Sequence, residues 1–342
     1  MIGSLWIGTY PDAGAAGSGE GIWRVGVDAA TGELSDPRLV VETPAPSFLA
    51  LHPSGRTLYA VAEVDEGAVT AFAVSADGLA PLDTRPTGGA LPCHALATSG
   101  TLHVANYGSG HLTTFALAAD GGFAGGPETH GNAGRGPDRD RQEGPHAHYV
   151  GIVGDEVWVS DLGTDELRRH RPRSGGASPA GIAARLPPGA GPRHFVSVGD
   201  AVVVVTELDA SLYVLSPESG AVRARYDATA TPGHHQPSHL ALSPDGTRLF
   251  VAVRGVNVLS TFAVAEGDAG LEHLADTPLA RWPRHFAVLP PVTEADAALV
   301  VVADQQASTL TALRVDRETG RGTTVGSVPL PAPACVLPTG TG

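Results

Sequence analysis

Residues 48–74, FLALHPSGRTLYAVAEVDEGAVTAFAV, and residues 240–264, LALSPDGTRLFVAVRGVNVLSTFAV, carry one pattern twice. An apolar stretch runs into a Pro-x-Gly turn, then a β-branched run that ends in a polar residue, a brief loop and a second apolar run. Proline presets one turn angle and glycine tolerates positive φ, so PSG and PDG mark tight reversals. Short apolar segments punctuated this often read as antiparallel strands, not as helices.

The polar residue that closes the second strand recurs at Tyr10, Glu63, Asn106, Asp161, Glu207, Arg254 and Asp304, at intervals of 43 to 55 residues. Seven units of that period, with four short strands each and no long helical pattern between them, predict an all-β, seven-bladed β-propeller with four-stranded antiparallel blades. It is expected to form a single domain over 1–342. The first unit lacks an opening strand, because Ser4 to Tyr10 already corresponds to the second strand of the others. Pro333-Ala334-Cys335-Val336-Leu337 resembles the openings Pro92-Cys93-His94-Ala95-Leu96 and Pro46-Ser47-Phe48-Leu49-Ala50. The ring is therefore expected to be closed by the C-terminal strand joining the N-terminal blade, which removes exposed sheet edges.

Composition narrows the function. With 44 Gly, 28 Pro and 42% hydrophobic residues, the chain is turn-rich yet able to bury a core. It contains no lysine: all 22 basic residues are Arg, against 36 acidic ones, for a formal charge of −14. Schiff-base and phosphate-loop lysine chemistries are excluded, and the lack of basic runs argues against a nucleic-acid partner. Cys93 and Cys335 are too few for a disulfide framework, which points to the cytoplasm. Met1 to Tyr10 lacks the marks of a signal peptide, and no apolar run is long enough to span a bilayer. A monomer or weak homodimer is expected.

In a four-stranded meander, the opening of the first strand and the loop after the second share one face, and the first hairpin lies on the other. The PSG and PDG turns belong to the far face. The openings PSF (46–48), PCH (92–94), PHAH (145–148), PRH (192–194), PSH (237–239) and PRH (283–285) meet the second-strand ends at the near mouth. Glu63, His94, Asn106, His148, Asp161, His194, Arg284 and Gln305 are thereby candidates for binding substrate, beside Glu207 and Arg254. Charges crowded into a narrow site lose hydration and need compensation. One such opening is readily explained by pairing between blades, whereas six argue for a functional mouth.

Other features have simpler readings. His146 and His148 share a strand face, but no third ligand at diagnostic spacing accompanies them, so no metal is expected. His234-His235 reads as a solvated loop and GSG at 108–110 as a hairpin turn. Arg135 to Glu143, RGPDRDRQE, is a charged insertion, either a plain surface loop or a flap over the mouth. Cys93 reads as a small buried residue.

These motifs resemble the seven-bladed lactonase family, which includes bacterial propeller-type 6-phosphogluconolactonases and fungal carboxymuconate-lactonizing enzymes. The resemblance spans nearly the whole chain: GTY (8–10), PSFLALHPSGRTLYAVAE (46–63), VANYGSG (104–110), RQEGPHAH (141–148), GPRH (191–194), TELD (206–209), SPDGTRLFVAVRG (243–255) and PRHF (283–286). It implies a catalytic group of His146, Arg193, Glu207 and Arg254. Departures are Ala62 before Glu63, Ala252 before Val253-Arg254, and Asp304-Gln305 where the family more often has Asn-Gln.

Lactone hydrolysis needs a positioned water, a base and groups that stabilise an oxyanion. His146 or Glu207 can be the base, and Arg193 and Arg254 suit the oxyanion or a substrate carboxylate or phosphate. The scheme requires no cofactor, and its partner is a small lactone or carboxylate. Cycloisomerisation, which forms a lactone from an unsaturated acid, and a non-catalytic binding scaffold are the alternatives.

Overall fold

The computed structural model describes residues 2–10, 21–28, 30–76, 78–265, 267 and 269–339. These residues form seven four-stranded antiparallel sheets. Six blades run from inner to outer strand in chain order. Blade 1 takes its inner strand, Pro333–Pro338, from the far end of the chain, followed by Ile2–Thr9, Gly21–Asp28 and Leu34–Glu42. Leu337 pairs with Trp6 and Cys335 with Gly8, so the expected closure is observed.

Burial follows position in the blade. Second strands are sandwiched between neighbouring blades on both faces, and AVVVVT at Ala201–Thr206 is buried throughout. Outer strands face water, as in Val222–Asp227, where no residue is fully buried. The apolar core is divided accordingly: among the described residues one hydrophobic cluster fills each of the seven blade interfaces, such as Val203, Val205, Leu249 and Val251 between blades 5 and 6. The far-face turns take the expected geometry, with φ of 71° at both Gly55 and Gly246.

Blades 3 and 7 share a buried device at the end of their second strands. Asn106, paired with Pro92, donates from Nδ2 to Thr113 Oγ1 at 3.0 Å and to the His111 carbonyl at 3.1 Å. Asp304, paired with Pro283, occupies the same position. Its Oδ2 accepts from Thr311 Oγ1 at 2.7 Å, and its buried Oδ1 has no partner. Burial lifts this carboxyl to about 7. In an unfolded chain it would titrate near about 4, so the folded state holds the proton more tightly, and stability is lost as pH rises from about 4 to about 7. Asp304→Asn, an isostere of the protonated acid, should therefore become progressively more stable than wild type across that interval, by up to about 4 kcal/mol, and level off above it. Denaturant unfolding of both proteins at several pH values measures this. A difference flat with pH would mean that Asp304 does not carry the proton.

Candidate active site

Most inner strands open with a β-bulge. Pairing shifts by one residue at Cys93, His148, Arg193, Ser238, Arg284 and Ala334, in blades 3 to 7 and blade 1. A bulge re-aims the extra side chain, and here successive residues are sorted into two layers of the channel.

The deeper layer is a belt of rings. Phe48 packs on His94, His94 on Tyr149, Tyr149 on His194, His194 on His239 and His239 on His285, with centroids 4.1 to 5.1 Å apart, and His285 returns to Phe48 at 5.4 Å. Burial holds His94, His194 and His239 well below the usual imidazole range and His285 at about 3. The backbone N–H groups of Val150 and Val336 donate to Nδ1 of His94 and His285, which fixes those rings as neutral. His94 and His194, expected at the mouth, thus lie one layer deeper, in a neutral floor.

Above the belt sits a charge cluster. Glu207, 3% exposed, accepts from Arg141 Nη2 at 2.7 Å on Oε1, and from Arg193 Nη1 and Arg254 Nη2 on Oε2, the latter at 2.9 Å. Burial alone would raise its carboxyl, but the guanidinium groups of Arg254, Arg193 and Arg141 hold it well below the carboxylate range. Arg193 Nε donates to the Ser238 carbonyl at 2.7 Å, and Arg254 Nε to that of Gln236 at 3.0 Å, so neighbouring backbone fixes both forks. Burial and like charges lower Arg254 to about 9, which leaves it a cation at neutral pH. Trp282 lies under its guanidinium, 5.3 Å from the ring centre.

His146 borders this cluster. Its ring stacks on Tyr107 with centroids 4.5 Å apart, and Nδ1 lies 2.9 Å from the Tyr107 carbonyl. A carbonyl only accepts, so Nδ1 carries a hydrogen and Nε2 holds the lone pair when the ring is neutral. Nε2 is buried without a hydrogen bond, although a Glu143 carboxylate oxygen stands 3.2 Å away. Asp161 positions this segment: its Oδ1 accepts from the backbone N–H of His146 at 2.8 Å and of Gly163 at 3.1 Å. Only glycine fits at 163, where a Cβ would lie 1.8 Å from the Gly144 carbonyl oxygen.

On blades 1, 2 and 7, Glu63 accepts from Ser47 Oγ and from Tyr10 OH at 3.2 Å, and Arg284 Nη2 lies 3.9 Å away. Arg284 also stacks on Tyr10 and reaches Gln305 Oε1 at 3.4 Å. Burial raises the Glu63 carboxyl, with Arg284 opposing. His148, neutral through burial, has its Nδ1 3.9 Å from Cys93 Sγ.

The sequence matches the family described as Lactonase, 7-bladed beta-propeller over residues 4–338. The chain belongs to the seven-bladed β-propeller lactonase family. It is 30% identical over 349 residues to the 6-phosphogluconolactonase of Bacillus subtilis, covering 97% of each chain. A 6-phosphogluconolactonase of Formosa agariphila is 26% identical over 93% of this chain and 94% of its own length. The solved structure of the Pseudomonas aeruginosa periplasmic gluconolactonase is 27% identical with a TM-score of 0.87, covering 100% of both chains.

In this lactonase-family chain, Arg193, Glu207 and Arg254 come together as one cluster, with His146 joined to it through Tyr107 and Arg141. Glu63, Arg284 and Gln305 form a second group. Asn106 is wholly buried and bonded within its own blade, and Asp161 braces the backbone of His146. Arg141 and Tyr107 escaped the repeat alignment. Arg141 lies in the charged insertion and opens the motif RQEGPHAH, and Tyr107 follows a second-strand end within VANYGSG, but neither motif by itself assigns them to the site. The insertion is pinned by Gln142, wholly buried, whose Nε2 donates at 2.8 Å to both the Leu162 carbonyl and Asp165 Oδ1. His234 is exposed as expected, but His235 opens the inner strand of blade 6 and meets the Thr231 carbonyl at 2.7 Å. Among the described residues no group of three or more His, Cys, Asp or Glu is placed to hold a metal, and no helix is long and apolar enough to cross a membrane.

Proposed function

We propose that this protein hydrolyses a sugar lactone at the polar mouth, with His146 as the base and Arg193 and Arg254 stabilising the oxyanion. The observation that carries this reading is the clamping of Glu207 by three guanidinium groups beside a histidine whose Nδ1 is held by a backbone carbonyl and whose Nε2 stands 3.2 Å from the Glu143 carboxylate. A carboxylate held so far below its usual range is a poor proton acceptor near neutrality. Glu207 therefore anchors the cations, and the base is His146.

His146 Nε2 takes a proton from water as the oxygen bonds to the ester carbonyl carbon. Arg193 and Arg254, fixed in advance by backbone carbonyls, meet the charge that develops on the carbonyl oxygen. The ring C–O bond then breaks, the leaving alkoxide takes the proton back from the imidazolium, and a hydroxy acid is released. The relatives named 6-phosphogluconolactonase and gluconolactonase point to an aldonolactone, phosphorylated or not, as the substrate class.

Catalysis by side chains and water should survive exhaustive treatment with EDTA. A panel of phosphorylated, unphosphorylated and unsaturated lactones, followed at neutral pH and corrected for spontaneous opening, tests the reading. Activity lost to chelation and restored by a single divalent ion would overturn the mechanism. Net formation of a lactone from an unsaturated acid would replace hydrolysis by cycloisomerisation.

We assign the protein to the cytoplasm as a monomer or weak homodimer that binds no nucleic acid. Its cysteines are free and buried, so it has no disulfide that would need an oxidising compartment. The similar Pseudomonas protein is periplasmic, and recovery of this chain in a periplasmic fraction would reverse the assignment.

A further inference from the structure

The Glu207 cluster is unbalanced in charge, since one carboxylate faces the three guanidinium groups of Arg141, Arg193 and Arg254. Glu63 feels Arg193 only weakly and is engaged by Ser47, Tyr10 and its own cation Arg284, and Glu143, which feels Arg141, is 59% exposed, so neither equals the buried positive charge. Cations buried without equal countercharge are costly, and a ligand that carries negative charge relieves that cost.

The three arginines are not equally available. Arg193 and Arg254 have side chains only 6% exposed and are fixed by backbone carbonyls of blade 6. The Arg141 side chain is 33% exposed. It bonds Glu207 through Nη2 and also the Tyr107 hydroxyl. Its backbone is held in place: Asp138 Oδ1 accepts from the N–H groups of Asp140 and Arg141 at 2.9 and 3.1 Å, and the next residue, Gln142, is wholly buried. A guanidinium presented from a pinned loop loses little freedom on binding, and its planar fork matches a phosphate or carboxylate.

We propose that Arg141 is a specificity-determining residue that receives an anionic substituent of the substrate, remote from the ester carbonyl that faces Arg193 and Arg254. This rests on the lactonase reading above. It gives one residue the choice between the phosphorylated and neutral substrates named for the relatives. The charged insertion is then neither a plain surface loop nor a bare flap, but the carrier of the substrate's charge receptor.

The test compares a 6-phosphorylated aldonolactone with its unphosphorylated counterpart on wild type, Arg141→Gln and Arg141→Lys. In Arg141→Gln the ratio of kcat/KM for the phosphorylated over the neutral lactone should fall about tenfold or more, mainly through KM. Arg141→Lys should recover part of it. Equal losses on both lactones would show that Arg141 acts only through Glu207, and an unchanged ratio without loss would show that it meets no substrate charge. Either result overturns the proposal. If wild type opens neither lactone, the lactonase reading fails. Inorganic phosphate then decides for Arg141, by raising the melting temperature of wild type and not of Arg141→Gln, or by raising both equally, which refutes the assignment.

Discussion

Glu207→Gln should lower lactone hydrolysis about a hundredfold or more while leaving the propeller folded. Glutamine keeps the volume but removes the one anion that, among the described residues, Arg141, Arg193 and Arg254 share. Arg193 and Arg254 would then be two buried like charges without compensation, and they would separate or lose hydration elsewhere instead of meeting the carbonyl oxygen together. Arg193→Lys should be comparably damaging, because a single ammonium nitrogen cannot stand both where Nε holds the Ser238 carbonyl and where Nη1 meets Glu207, and the planar fork that aims a further donor at substrate is lost. The control is His234→Ala, an exposed position whose loss should be nearly silent. Initial rates on variants with wild-type melting behaviour make the comparison. Wild-type rates in both the Glu207 and Arg193 variants would move the active site elsewhere, and equal sensitivity at His234 would mean that mouth and surface are not distinguished.

Removing residues 332–342 should open the ring and cost about 7 °C or more in melting temperature, or lead to aggregation. Of these, 340–342 lie outside the described residues. The Pro333–Pro338 strand is the innermost of blade 1, and Ala334, Cys335 and Val336 are each at most 2% exposed. Val336 belongs to the cluster between blades 1 and 7, and Cys335 to the one between blades 1 and 2. Deleting the strand strips apolar contacts from both clusters and leaves Ile2–Thr9 with an unpaired edge, the geometry that promotes edge-to-edge association. Loss of three to four buried side chains corresponds to about 5 kcal/mol, and a chain of this size shifts its melting temperature by about 1.4 °C per kcal/mol. Thermal unfolding and size-exclusion chromatography report the outcome. A monomeric truncation as stable as the full chain would rule out closure by this strand.

The repeat was enough to determine the architecture, because its signals are local. PSG and PDG turns, Val-rich second strands and the opening motif repeated at 333–337 are set by backbone conformation and side-chain alternation, which neighbouring residues reveal without a partner in view. The same locality brought Arg193, Glu207 and Arg254 to one mouth, since each sits at a fixed place in its blade. Tertiary structure decided what a linear pattern does not contain. The bulge at the opening of blade 5 sends Arg193 to the charge cluster and the adjacent His194 to the aromatic belt, a separation invisible in the string PRH. Glu207 looked like a base until the three cations around it were known, because acidity depends on neighbours contributed by other blades and by the insertion. Arg141 entered the site only when its loop folded across the blade interface, 66 positions before the glutamate it meets. Propensity and periodicity act over a few residues, whereas electrostatic balance in a buried site is a sum over everything the ring brings together.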